Sequence, residues 1–188
     1  MTSLPTAMTR LVCPPVLLRP FEDGDVDLVR SVADDPLIPL IPLITTVTTS
    51  GTREDALAYI GRQHDRLPEG QGYSFAIADA ADGHAVGQIG LWTRDIDAGR
   101  TTTGYWVAPP FRRRGYLTAA LAGLTEWALG HDEVHRIELH VEPWNDGSWR
   151  AAAACGYQRE GGLRSWQWIG DVRKDLDVWS IIRSSPAS

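Results

Sequence analysis

The chain is poor in the residues that mark secreted, metal-binding and membrane-spanning proteins. Two cysteines stand in 188 residues, Cys13 and Cys155, far apart and without metal-ligand spacing. No disulfide framework or cysteine-held metal is expected from them, and a reduced, cytoplasmic setting is. No apolar stretch approaches the roughly 20 residues needed to span a bilayer. Residues 1–10 lack the apolar core of a signal peptide. Positive charge is the minority: 18 Lys and Arg against 24 Asp and Glu leave a net charge of -6. A general nucleic-acid binder carries the opposite balance. The two common phosphate loops are missing as well. The Walker pattern needs Gly-Lys-Ser/Thr, and the dinucleotide fingerprint needs three spaced glycines where only Gly115 stands.

What is present points to one folded domain over residues 1–188, with a core over about 16–182. Apolar residues make up 43% and charged residues 22%, a globular balance. The most informative segment runs from Gly104 to Leu121. A short strand ends in Trp106-Val107, a turn carries Pro109-Pro110, and Arg112, Arg113, Arg114 and Gly115 precede an amphipathic helix. A helix start offers N–H groups without intrahelical partners, and its dipole favours an anion. Arginines there oppose the dipole, so three in a row imply a compensating anion such as a phosphate or pyrophosphate. On an acidic protein this is a local positive spot for a small anionic ligand.

Periodicity places the elements. Val16–Arg19 reads as a strand and Val26–Ala33 as a helix ended by Asp35-Pro36. Prolines at 36, 39 and 42 forbid helix and favour an extended apolar path over residues 36–50, a candidate wall of a substrate site. Thr52 caps a helix to about Arg66. Tyr73–Ala78 and Ala85–Trp92 form a hairpin about Asp82-Gly83. Thr101–Val107 is a strand, Tyr116–Leu129 a helix, and Arg136–Val141 an alternating strand. Asn145–Ser148 caps a short helix over Trp149–Cys155, ended by Gly156. Tyr157–Glu160 and Leu176–Ile182 are the last strands, with turns at Gly161-Gly162 and at 169–171. This is an α/β (α+β) order with a mixed, mostly antiparallel sheet. Trp144, Trp149, Trp166 and Trp168 are core aromatics or the lining of a pocket for a flat substrate.

Arg112-Arg-Arg-Gly115-Tyr-Leu117 resembles the Arg/Gln-x-x-Gly-x-Gly/Ala motif of the GNAT N-acetyltransferases. Gly104–Pro109, His135–Asn145, Ser148 and Gly156-Tyr157 resemble the RimJ/RimL branch, which acetylates protein N-termini. The likeness spans about Val16 to Ile182 and implies the GNAT fold. That fold is a sheet of about six to seven strands flanked by helices, with two splayed parallel strands making a slot for CoA. It also implies acetyl-CoA as cosubstrate, an amine acceptor, no metal, and leaves room for a homodimer. Backbone N–H groups of Arg113, Arg114, Gly115, Tyr116, Leu117 and Thr118 would hold the pyrophosphate. The edge at Trp106-Val107 would pair with the pantetheine arm and supply an oxyanion donor. Asn145 would hold a pantetheine amide.

The motif departs from the family pattern at Leu117, where a small residue is usual, and at Arg113, where a glycine often follows the first arginine; the further departures concern proton transfer. Many members carry a tyrosine in the helix after the asparagine as general acid, and Ala151–Ala154 stands there. Ser148 matches the serine that the N-terminal-acetylating branch uses instead, with helix capping as its other role. For the base, Glu138, His140 and Glu142 share a strand face and Glu160 lies on the next strand; Glu142 is nearest the expected slot. Cys155, at a helix C-terminus, is no nucleophile. The alternative function is a CoA or acyl-CoA sensor without turnover.

Overall fold

In the computed structural model, residues 3–33, 35, 38, 51–169 and 171–184 are described. Apart from Ile38, the expected proline-punctuated wall over 36–50 lies outside them. The strands are β1 (Leu11–Cys13), β2 (Val16–Arg19), β3 (Gly72–Asp79), β4 (Ala85–Trp92), β5 (Arg100–Val107), β6 (Arg136–Val141), β7 (Gln158–Ile169) and β8 (Val172–Ile182). They form one sheet in the order β1-β2-β3-β4-β5-β6-β8-β7. Only β5 and β6 pair in parallel; the long helix between them makes the crossover such a pair requires.

Helices cover both faces: α1 (Val26–Ser31) and α2 (Arg53–Asp65) on one side, α3 (Tyr116–Leu129) and α4 (Asp146–Ala154) on the other. A sheet buried twice needs strands without an alternating polar face, and β3 is buried from Gly72 to Ala78. Leu121 and Leu124 of α3 pack on Phe75, Ile77 and Ile89 in one core. Tyr59 and Ile60 of α2 pack with Val29 and Trp106 in the other. Thr52 accepts the Asp55 N–H at 3.2 Å, the N-cap expected for α2.

The sheet has eight strands, slightly more than expected from the sequence. The extra one, β1, is three residues long and gives no periodic signal of its own. It packs on α3 where Gly123 has no side chain: a Cβ there would collide with Cys13. A second difference is at Gly161-Gly162, expected as a turn but lying inside β7. The register shifts between Arg159 and Gly161, a bulge that absorbs the extra residue without ending the strand. The β7–β8 hairpin is therefore longer than expected and carries Trp166 and Trp168, 53% and 59% exposed.

Candidate active site at the β5–β6 splay

Parallel pairing begins at Arg100↔Arg136 and stops at Thr103↔Leu139, although β5 runs on to Val107 and β6 to Val141. Beyond Thr103 the β6 side of β5 is open. Ala108 N–H donates to Val86 O on β4 at 2.9 Å, and Trp106 O crowds the place a Cβ on Gly87 would take. Main-chain groups alternate along a strand, so those of residues 106 and 108 face β4, and those of Tyr105 and Val107 face the gap. An extended ligand entering here finds a strand edge with no neighbouring strand paired to it, Val107 O alone being taken, by Arg112 Nε.

Next to the gap is a cluster of unpaired donors. Arg113 has φ 61° and Gly115 φ 80°, both left-handed. For an arginine that conformation costs about 1–2 kcal/mol. Left-handed residues two apart turn successive N–H groups into one concavity, a nest for an anion. Among the described residues, no acceptor takes the backbone N–H groups from Arg113 to Thr118. The α3 dipole adds positive potential at the same place.

The gap and the nest open into one cavity of about 490 Å³. Every cofactor residue expected from the sequence lines it except Arg114, whose guanidinium lies 5.7 Å from the Phe111 ring centre. Trp106 lines it only in part: its indole Nε1 donates to Tyr59 Oη at 3.2 Å in the α2 core. Asn145 accepts the Ser148 N–H on Oδ1 at 3.2 Å, capping α4. Its Nδ2 has no partner among the described residues and stays available to a ligand carbonyl. Ser148 lines the cavity too, its hydroxyl hydrogen-bonded with that of Tyr105. Glu142 does not line it. That carboxylate is 6% exposed and accepts Trp144 Nε1 at 2.5 Å.

Other lining residues carried weaker signals. Tyr105 follows from strand alternation, since it shares the direction of Val107. Its hydroxyl donates to Ser148 O at 3.3 Å. Burial pushes that hydroxyl well above its ordinary range, so it remains a neutral donor. Ile38 is brought in from far along the chain and had no local signal as a lining residue. Cys155 sits under the site with Sγ 3.4 Å from Thr118 O; burial raises its thiol pKa, so it is a poor nucleophile.

On the α2 face of β6 lies a connected polar row. Ile137, Leu139 and Val141 point into the α3 core, which leaves Arg136, Glu138 and His140 on the opposite face. Arg136 donates from Nε to Glu138 Oε1 at 2.7 Å and from Nη1 to Glu160 Oε1 at 2.7 Å. Ser180 Oγ also donates to Glu160 at 2.7 Å. His140 Nε2 lies 3.5 Å from Glu138 Oε2. His140 is the first β6 residue past the last parallel pair, so it stands where the strands part.

The hydrogen bond from Arg136, with that from Ser180, holds Glu160 down at about 2, against an ordinary 4.5. A depressed folded-state pKa stabilises fully above the unfolded value and is lost as pH falls toward the folded one. Urea midpoints should therefore drop as pH falls from about 5 through about 2, and the drop should shrink in high salt because Glu160 is 42% exposed. Glu160→Gln should flatten this limb. An unaltered acid limb in that variant would remove Glu160 from the account.

Comparison with known proteins decides the family. The model of the acetyltransferase (GNAT) domain matches residues 16–158. The chain belongs to the GNAT family. As a GNAT protein it is an acetyl-CoA-dependent acyltransferase. It is 30% identical over 124 residues to the Probable N-acetyltransferase YjcK of Bacillus subtilis, covering 65% of this chain and 68% of that protein. RimJ of Mycobacterium smegmatis, solved in complex with CoA-disulfide, superposes with a TM-score of 0.78 at 25% identity, over 93% of this chain and 86% of that one. The ribosomal-protein-S5-alanine acetyltransferase of Vibrio fischeri shares the fold, with a TM-score of 0.74 at 18% identity over 93% and 97% of the two chains.

The GNAT site fits CoA on its own residues: unpaired N–H groups for the pyrophosphate beside an unpaired strand edge for the arm. Among the described residues no group of three His, Cys, Asp or Glu side chains is placed to hold a metal ion. No helix among them is long and apolar enough to cross a membrane.

Proposed function

We propose that the chain acetylates a primary amine by direct attack, with amine and acetyl-CoA bound together. The observation that carries this is the open edge of Tyr105 and Val107 leading straight into the N–H nest at Arg113–Thr118. The nest holds the pyrophosphate, and the edge aligns the extended arm. Val107 N–H, facing the gap, donates to the carbonyl oxygen as negative charge develops there; one fixed donor of this kind contributes about 3–4 kcal/mol.

The amine enters from the α2 face and must lose a proton before it attacks. Neither Glu142 nor His140 lines the cavity, but Glu142 is only 6% exposed with its carboxylate taken by Trp144 Nε1, whereas the His140 side chain is 20% exposed. The role falls better to His140, whose ring is oriented by Glu138, itself fixed by Arg136. Imidazole is also the side chain that ordinarily titrates nearest neutrality. On the other face Ser148 stands at the first turn of α4 and donates its hydroxyl proton toward the departing thiolate. Ser148→Ala should lower kcat roughly ten- to a hundredfold with little change in KM for acetyl-CoA. A rise in KM alone would reduce Ser148 to a cofactor contact.

The acceptor in this reading is a protein N-terminal α-amine, in the cytoplasm, as the ribosomal-protein acetyltransferases among its structural neighbours suggest. A small amine is the other candidate. Incubation with acetyl-CoA and a mixed panel of N-terminal peptides and small amines, read by thiol release and a mass shift of one acetyl group, tests both. CoA binding without release on any amine would sink the transferase reading in favour of a sensor.

A further inference from the structure

Arg112 opens the anion motif, yet its guanidinium is turned toward protein. Nε donates to Val107 O at 2.8 Å, and Nη2 donates to Asp35 Oδ2 at 2.6 Å. The Asp35 side chain is only 3% exposed and that of Arg112 33%. Asp35 in turn accepts the Ile38 N–H on Oδ1 at 3.3 Å. Ile38 is fully buried and forms part of the cavity wall. Two segments 77 residues apart are thus joined across the end of the slot.

The location of the Val107 carbonyl makes this more than a packing contact. It faces the gap, and it is the last acceptor on the open edge of β5. Arg112 takes one of the two lone pairs of that carbonyl, which leaves it a weaker acceptor than Tyr105 C=O for an arm lying along β5. The register favoured is the one that pairs the arm with Tyr105 and brings a thioester carbonyl to Val107 N–H. A guanidinium serves here because it is a planar fork able to donate to two acceptors at once.

We propose that Asp35 and Arg112 form a strut that sets the register of the pantetheine arm. Asp35 is then a positioning residue for the cofactor, and Arg112 is not a pyrophosphate ligand. This rests on the placement of CoA in the β5–β6 slot made above. The probes are CoA and adenosine bisphosphate, which keeps phosphates but lacks the arm, titrated by calorimetry into Asp35→Asn, Arg112→Met, Arg112→Lys and the Asp35→Asn/Arg112→Met double variant.

Both single neutralising variants should weaken CoA by about tenfold, and the double variant by no more than either, because residues in one network do not add. Arg112→Lys should fall with them, since one ammonium cannot span Val107 O and Asp35. Adenosine bisphosphate should bind all four with unchanged Kd, a split that neither general damage nor a lost phosphate ligand produces. A single variant that leaves a buried charge unpaired can fail to fold; the double variant leaves none, and its CoA affinity then decides. Wild-type CoA affinity in Asp35→Asn or in the double variant overturns the strut. So does wild-type affinity in Arg112→Lys, or an equal loss for both probes. If Gly115→Pro abolishes CoA binding while these variants bind normally, the slot stands and only the strut falls.

Discussion

Replacing Gly115 with proline is expected to reduce CoA affinity by at least about a hundredfold. The residue has φ 80°, while a proline ring locks φ near −65° and has no N–H to donate. The substitution therefore flattens the nest and removes one of its donors. Hydrogen bonds to a charged group are worth about 1.5–3 kcal/mol each, so losing two amounts to a hundredfold or more. Gly115→Ala separates the contributions. No protein atom lies within 4 Å of the Cβ it would add, so the folded chain feels only the strain of a left-handed alanine, about 1–2 kcal/mol. Because Gly115 lines the cavity, that methyl group stands where the anion must come close. Calorimetry with CoA, paired with thermal melts, reads both effects. Unchanged CoA affinity in Gly115→Pro would show that the pyrophosphate lies elsewhere.

The second large effect is expected at His140. His140→Gln keeps most of the volume and one hydrogen bond but cannot accept the amine proton at neutral pH. On an amine found to be a substrate, kcat should fall by about two to three powers of ten, the usual range for a positioned base. KM for acetyl-CoA should hardly move, since the imidazole is on the acceptor side of the sheet. Glu138→Gln should have a smaller effect of the same kind by loosening the ring. Glu142→Gln serves as the counter-test: a loss of kcat there with His140→Gln near wild type would return the base to Glu142.

Much of the cofactor half was legible in the sequence because its chemistry is local. Three arginines, one glycine and a helix start lie within a few residues, and their N–H groups converge through local backbone geometry. Alternation in Arg136–Val141 placed His140 and Glu138 on one face in the same way. Sequence proximity puts Glu142 close to the slot along the chain but does not show its burial. In the fold its carboxylate is 6% exposed and accepts Trp144 Nε1. The same limit applies at Gly161-Gly162, where two glycines serve a bulge rather than a turn.

By itself, the sequence determined the family, the order of elements and the arginine–glycine stretch at the start of α3, because each depends on neighbours along the chain. Only the tertiary structure decided where β5 and β6 part, and so which main-chain groups are left unpaired. It also joined Arg112 to Asp35 and brought Ile38 into the wall. Those outcomes rest on contacts between residues distant along the chain, which close only when the sheet and both helical layers pack together.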